Sequence, residues 1–155
     1  MKLDTIRDIE APIDFVFGQM SDFRAIERAA MRRGAEVQRT DDLTRTGPGM
    51  TWDASFEFRG RTREIRLELK EYAPPEGMIF ATRSPSLSGR FAVELVALSR
   101  RSTRVKVDMK MQPETLSGKL LVQSMKLARK TLTSRMENRM AAYATEIEQR
   151  FRRSA

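Results

Sequence analysis

The last quarter of the chain carries an apolar stripe too long to be buried within the segment that bears it. From Pro113 onward, Leu121, Met125, Ala128, Leu132, Met136, Met140, Tyr143, Ile147 and Phe151 recur at intervals of three or four residues. That spacing keeps one face of a 3.6-residue helix apolar along its whole length. The expected element is one long amphipathic helix, capped at its start by Thr115 or Ser117. Such a helix cannot bury its stripe against itself. The residues before it therefore have to supply a large apolar concavity.

Those residues read as short strands and two short helices. Residues 2–10 form a strand with Leu3 and Ile9 inward, ended by Ala11-Pro12, where proline suits a first helical turn. Ile13 to Met20 makes a short helix. A second, capped by Ser21 or Asp22, turns Phe23, Ile26, Ala29 and Ala30 inward and stops at Gly34. After a short strand at 35–40, Asp41-Asp42 and Thr46-Gly47-Pro48-Gly49 mark a polar loop. Met50 to Phe58 alternates, with Trp52, Ala54, Phe56 and Phe58 on one face, and Arg59-Gly60-Arg61 turns it tightly into Thr62 to Tyr72. There Ile65, Leu67 and Leu69 oppose Glu64, Arg66, Glu68 and Lys70, the mark of one buried and one wet face. Pro74-Pro75-Glu76-Gly77 leads to a strand at Met78–Thr82. Phe91, Val93, Leu95 and Ala97 line the next, and Val105, Val107, Met109 and Met111 the last. Helices segregated from a meandering antiparallel sheet define an α+β fold, and a twisted sheet of that many strands curls.

At 155 residues the chain suits one domain, and 40% apolar with 32% charged residues is ordinary globular composition. No apolar run reaches the roughly 20 residues of a membrane span, and Met1-Lys2-Leu3-Asp4 lacks a signal peptide's apolar core. The chain has no cysteine, so disulfide and thiolate chemistry are excluded and the cytoplasm is the expected location. It has no histidine either, which removes the commonest general base and zinc ligand. No metal or cofactor is expected. The net charge of +8 is uneven: residues 1–77 hold 13 basic and 15 acidic side chains, a net −2, against 16 and 6, a net +10, in residues 78–155.

The element order, with Ile9-Glu10-Ala11-Pro12 leading into Val16-Phe17 and Asp22-Phe23, resembles the SRPBCC superfamily. This is the START and birch-pollen-allergen-like helix-grip group, which includes polyketide cyclase/dehydrase-like proteins. Gly47-Pro48-Gly49-Met50, Tyr72-Ala73-Pro74-Pro75 and the closing helix fit the same pattern, so the likeness runs from about Lys2 to Phe151. The chain departs from it after the second short helix. It reads Ala30-Met31-Arg32-Arg33-Gly34 where many members carry tryptophan and proline. The resemblance implies a curved seven-stranded antiparallel sheet wrapped around the C-terminal helix, with an apolar cavity between them. It brings no universal catalytic motif, so no catalytic residue is carried over.

The inward faces would converge Trp52, Phe56, Phe58, Leu67, Leu69, Phe91, Val93, Leu95 and Met109 on Met125, Leu132, Met136, Met140 and Tyr143 of the stripe. These are the expected cavity walls, with the middle of the helix, Met125 to Met140, as the place for a ligand. Arg7 and Arg63 share parity with inward apolar residues and are candidate polar orienters, since a buried guanidinium requires a partner or an anionic ligand. Leu116, Leu120 and Leu127 lie on another side of the helix, expected to meet the two short helices or a second subunit. A basic surface is expected from Arg100, Arg101, Arg104, Lys106 and Lys110, joined by Lys126, Arg129 and Lys130. Without a nucleic-acid motif or an exposed run of aromatics, an anionic membrane is its expected partner rather than nucleic acid. The leading expectation is binding or transport of a small hydrophobic or amphipathic molecule, lipid-, sterol- or polyketide-like. The alternatives are a polyketide cyclase or dehydratase, and an adaptor that meets an anionic surface.

Overall fold

The computed structural model describes residues 1–154. Strand β1 (Lys2–Ile9) is followed by helices α1 (Ile13–Met20) and α2 (Phe23–Arg32), then strand β2 (Glu36–Arg39). A meander follows: β3 (Thr51–Phe58), β4 (Arg61–Ala73), β5 (Gly77–Arg83), β6 (Leu87–Ser99) and β7 (Ser102–Pro113). Helices α3 (Leu116–Leu127) and α4 (Arg129–Ser154) close the described chain. The seven strands form one antiparallel sheet in the order β1-β7-β6-β5-β4-β3-β2, curved around the C-terminal helices.

Local chemistry sets the element ends. The Asp22 carboxylate accepts the Ala25 amide and caps α2, and the Thr115 hydroxyl accepts the Gly118 amide and caps α3. Arg59 (φ 51°) and Gly60 (φ 79°) make a two-residue turn that joins β3 to β4 at the paired Phe58 and Arg61. Positive φ at both turn residues matches the right-handed twist of the strands it joins.

The core lies between the sheet and the helices. Ile9, Val16, Phe17, Met20, Trp52, Leu69, Phe80, Val93, Leu95, Val105, Met140 and Ile147 belong to one buried cluster. The base of the loop between β2 and β3 is fastened by Asp41, whose carboxylate accepts bonds from Arg39 and from the amides of Leu43 and Thr51.

One expectation is corrected here. The C-terminal quarter is two helices rather than one, broken at Ala128, whose amide is shared between the carbonyls of Ser124 and Met125. Alanine favours helix, so its own propensity does not account for the break. Glu114 donates its amide to the Ser86 carbonyl, and a β-carbon at Gly118 would collide with that same oxygen. These contacts lay α3 against the β5–β6 turn and β7, while α4 lies along β1. The apolar stripe nonetheless survives the break: each of its nine residues is buried or half-buried.

Candidate functional site

The bend between α3 and α4 leaves a recess of about 810 Å³ opposite the tip of the β3–β4 hairpin. One wall is helical, built from Ser117, Leu120, Leu121, Ser124, Ala128, Thr131, Leu132 and Arg135. The other comes from Glu57, Phe58, Arg59, Arg61 and Arg63. Phe58, Leu120, Leu121, Ala128 and Leu132 are apolar; four arginines and one glutamate set the charge.

The arginines reach this place for simple reasons. Arg61 and Arg63 continue the inward parity of Ile65, Leu67 and Leu69, so the start of β4 carries guanidinium groups where its later part carries apolar side chains. Arg59 occupies the turn. Arg63 donates its Nε–H to the Phe58 carbonyl at 3.2 Å, which orients its planar head within the hairpin. Glu57 is already engaged by the Thr62 hydroxyl. None of Arg59, Arg61, Arg63 and Arg135 is in an ion pair among the described residues. Four guanidinium groups against one carboxylate leave the recess with an excess of positive charge, which draws anions towards it.

Of the expected cavity walls, Phe58 and Leu132 line this recess, as does the candidate orienter Arg63. Trp52, Leu69, Val93, Leu95 and Met140 instead belong to the packed core, with Leu67, Phe91, Met136 and Tyr143 packed against it. The aromatic rings show why that region is full. Trp52 and Phe80 both meet Phe23 edge-on, at centroid distances of 5.2 and 6.0 Å, and Phe80 also meets Phe91 at 6.0 Å. Phe56 and Met109 are half-buried, and Met125 is buried on α3. The open space is thus displaced from the middle of the helix towards the bend.

Three further expectations change. Arg7 is exposed on β1, away from the recess. Tyr143, deep in the structure, donates its hydroxyl to the Gln19 carbonyl at 3.2 Å, and burial is the main cause of a phenol pKa pushed up to about 12. Leu116, Leu120 and Leu127 do not meet α1 or α2; they are 74%, 61% and 92% exposed.

The basic surface divides. Arg104 is paired with Asp8 through two hydrogen bonds, and Lys106 stands across from Glu94. Arg100 and Arg101 are exposed at the β6–β7 turn, and Lys130 is exposed on α4. Lys110, Lys126 and Arg129 gather with Lys2 and Arg90 around a second recess of about 650 Å³ that has no acidic residue on its walls. Arg129 is steered there by a 3.0 Å bond to the Lys2 carbonyl.

The missed wall residues had a signal. Ser117, Ser124, Thr131 and Arg135 recur at intervals of seven, seven and four and, with Leu121 and Ala128 of the apolar stripe, fall on one helical face beside it. Among the described residues, no group of three or more acidic side chains is placed to hold a metal ion, and no helix is long and apolar enough to cross a membrane.

No family model matches the sequence, and no curated protein matches it. Solved structures do. An aromatase/cyclase from a Streptomyces species aligns over 99% of this chain and 94% of its own, at 11% identity and a TM-score of 0.67. The chain has the helix-grip fold. A Thalictrum norcoclaurine synthase mutant, solved with a transition-state analogue, aligns over 97% of this chain and 94% of its own at 12% identity and a TM-score of 0.69. A START superfamily protein from Mycobacterium smegmatis aligns over 88% of this chain and 97% of its own, at 15% identity and a TM-score of 0.57. At such identities the likeness concerns the helix-grip architecture.

Proposed function

We propose that this helix-grip protein binds a small amphipathic molecule in the recess at the α3–α4 bend, with its apolar part against the helices and an anionic group among the arginines. The observation that carries this reading is the asymmetry of the recess. The leucines of the helical wall face a hairpin wall of Phe58, Arg59, Arg61 and Arg63 with Glu57, and Arg135 joins from the helical side. None of the four arginines has a carboxylate partner among the described residues. Apolar surface buried there contributes roughly 25 cal/mol per Å² before ordering costs. A carboxylate or phosphate would accept directional bonds from Arg63, whose Nε is already anchored on Phe58. A protein of the same fold, the norcoclaurine synthase mutant, has been solved in complex with a transition-state analogue, which supports a ligand-binding role for this architecture.

Cyclisation or dehydration of a polyketide-like substrate would need a proton donor or acceptor at the recess. Its one carboxylate, Glu57, is committed to Thr62, and Tyr143 is turned towards Gln19. Binding without chemistry is the reading these contacts favour.

The test compares a long-chain fatty acid with the alcohol of equal length, by native mass spectrometry and thermal shift. The acid is expected to bind more tightly, and Arg63→Gln to weaken the acid about tenfold while leaving the alcohol unchanged. Equal affinity for acid and alcohol, or no binding of either, would overturn the proposal.

A further inference from the structure

Helix α3 presents three different faces. At about 100° per residue, Val122, Met125 and Gly118 point towards the sheet and are buried, while Ser117, Leu121 and Ser124 face the recess. Leu116, Leu120 and Leu127 fall within about 40° of one another on a third side, as an exposed leucine ridge. Lys119 and Lys126 flank that ridge on the side away from the recess. Burying leucine is favourable by about 1.5–3 kcal/mol per side chain, so leaving three on one line of an exposed helix needs a reason.

The charge beside the ridge supplies one. In the sheet, Lys2, Lys110 and Arg90 are direct cross-strand neighbours on β1, β7 and β6. Like charges placed opposite one another repel. Lys126 and Arg129 close on the same recess without adding an acid. On the same strand β7, by contrast, Arg104 is matched by Asp8. Lys126, next to Leu127, and Arg129, just past the end of α3, join this group of cations to the helix that carries the leucines.

From this we infer that α3 is a docking surface for an anionic lipid bilayer, with Leu116, Leu120 and Leu127 entering the interface and the flanking cations meeting the headgroups. Both components are required for stable attachment of an interfacial helix, and α3 is already folded before contact. A second copy of the chain fits less well, because a symmetric contact through the ridge would bring Lys119 and Lys126 against their own counterparts. Nucleic acid offers phosphates but no place for aliphatic side chains. Because Leu120 belongs to both the ridge and the wall of the α3–α4 recess, docking would open that recess onto the bilayer. Only this last point, collection or delivery of cargo at the membrane, rests on the proposed ligand binding.

The experiment is co-sedimentation of the full chain with phosphatidylcholine vesicles, with and without phosphatidylglycerol. Binding is expected to the anionic vesicles alone and to weaken as salt rises. The double variant Leu116→Ser/Leu127→Ser, at exposed positions outside the recess, is expected to keep its thermal midpoint and lose about tenfold in partitioning. Lys119→Glu/Lys126→Glu should lose about tenfold as well. The inference is overturned by equal binding to neutral vesicles, by no binding at all, or by serine variants that bind as well as the parent. It is equally overturned if size-exclusion chromatography shows a dimer that those serines disperse. Fatty-acid binding in vesicle-free solution is measured in parallel. Its failure alone removes the cargo reading and leaves docking intact, and failure of vesicle binding alone does the reverse.

Discussion

At its C-terminal end α4 is held on several sides, whereas α3 and the bend that joins it to α4 are held mainly on one. Near the C-terminus Ile147 is fully buried, Phe151 packs on Phe15 at 5.3 Å, and Arg150 and Tyr143 both bond to Gln19 of α1. Glu148 accepts the Glu10 amide and so fastens the same segment to the end of β1. At the bend, α3 rests on β7 and the β5–β6 turn, faces an open recess on a second side and exposes leucines on a third. The same apolar stripe thus serves as core at one end and as the wall of a recess at the other. What differs is what lies opposite it: α1 closes the space near Tyr143, whereas Leu121 and Leu132 face the open recess and, across it, the β3–β4 hairpin.

The sharpest way to break that comparison is a matched pair of truncations. Ile147→Ala should destabilise the fold by about 2–5 kcal/mol in urea unfolding. Leu127→Ala, at a residue 92% exposed, should stay within about 0.5 kcal/mol. Equal effects would mean that both ends are core. A smaller effect is expected at Gly118. Alanine would gain about 1 kcal/mol in helix propensity, yet its β-carbon would meet the Ser86 carbonyl. A net loss of about 1–3 kcal/mol, with a changed recess but intact closed end, is the expected outcome.

The smallest effect concerns neither end and serves as the control. Arg39, together with the amides of Thr51 and Leu43, holds the Asp41 carboxyl well below the usual carboxylate range. A depressed folded-state pKa contributes stability above the unfolded value near 3.8, which is lost as pH falls through the folded value. Thermal midpoints should therefore fall below about pH 4, and Asp41→Asn should lower stability at neutral pH by about 1–2 kcal/mol. Ligand binding at the bend should be unaffected by that substitution.

The sheet was legible in the chain because alternation at Ile65, Leu67 and Leu69, and at Val105 and Val107, states which face is buried. The stripe from Leu121 to Phe151 was legible for the same reason at helical spacing. The break at Ala128 was not, because alanine itself favours helix; the close approach of Gly118 to the Ser86 carbonyl, which seats α3, is a contact between distant segments that periodicity does not show. The position of the recess was hidden likewise. Periodicity shows that Trp52, Phe91 and Met140 point inward, but not that Phe23 and Phe80 fill the space between them. Arg63 was readable from parity alone, whereas Arg59 and Arg61 became meaningful only once the hairpin was placed opposite α3.

In the proposed binding mode the ligand contacts the α3–α4 bend and leaves the C-terminal end of α4 untouched. An NMR titration of the isotope-labelled chain with a long-chain fatty acid tests it directly. The account predicts amide shifts concentrated at 57–63 and 117–135, around Phe58, Arg63, Ser124 and Leu132, with Phe80, Phe91 and Met140 to Phe151 unmoved. Shifts centred on Trp52, Phe91, Met140 and Tyr143 would contradict it, because the ligand would then occupy the space described here as packed core.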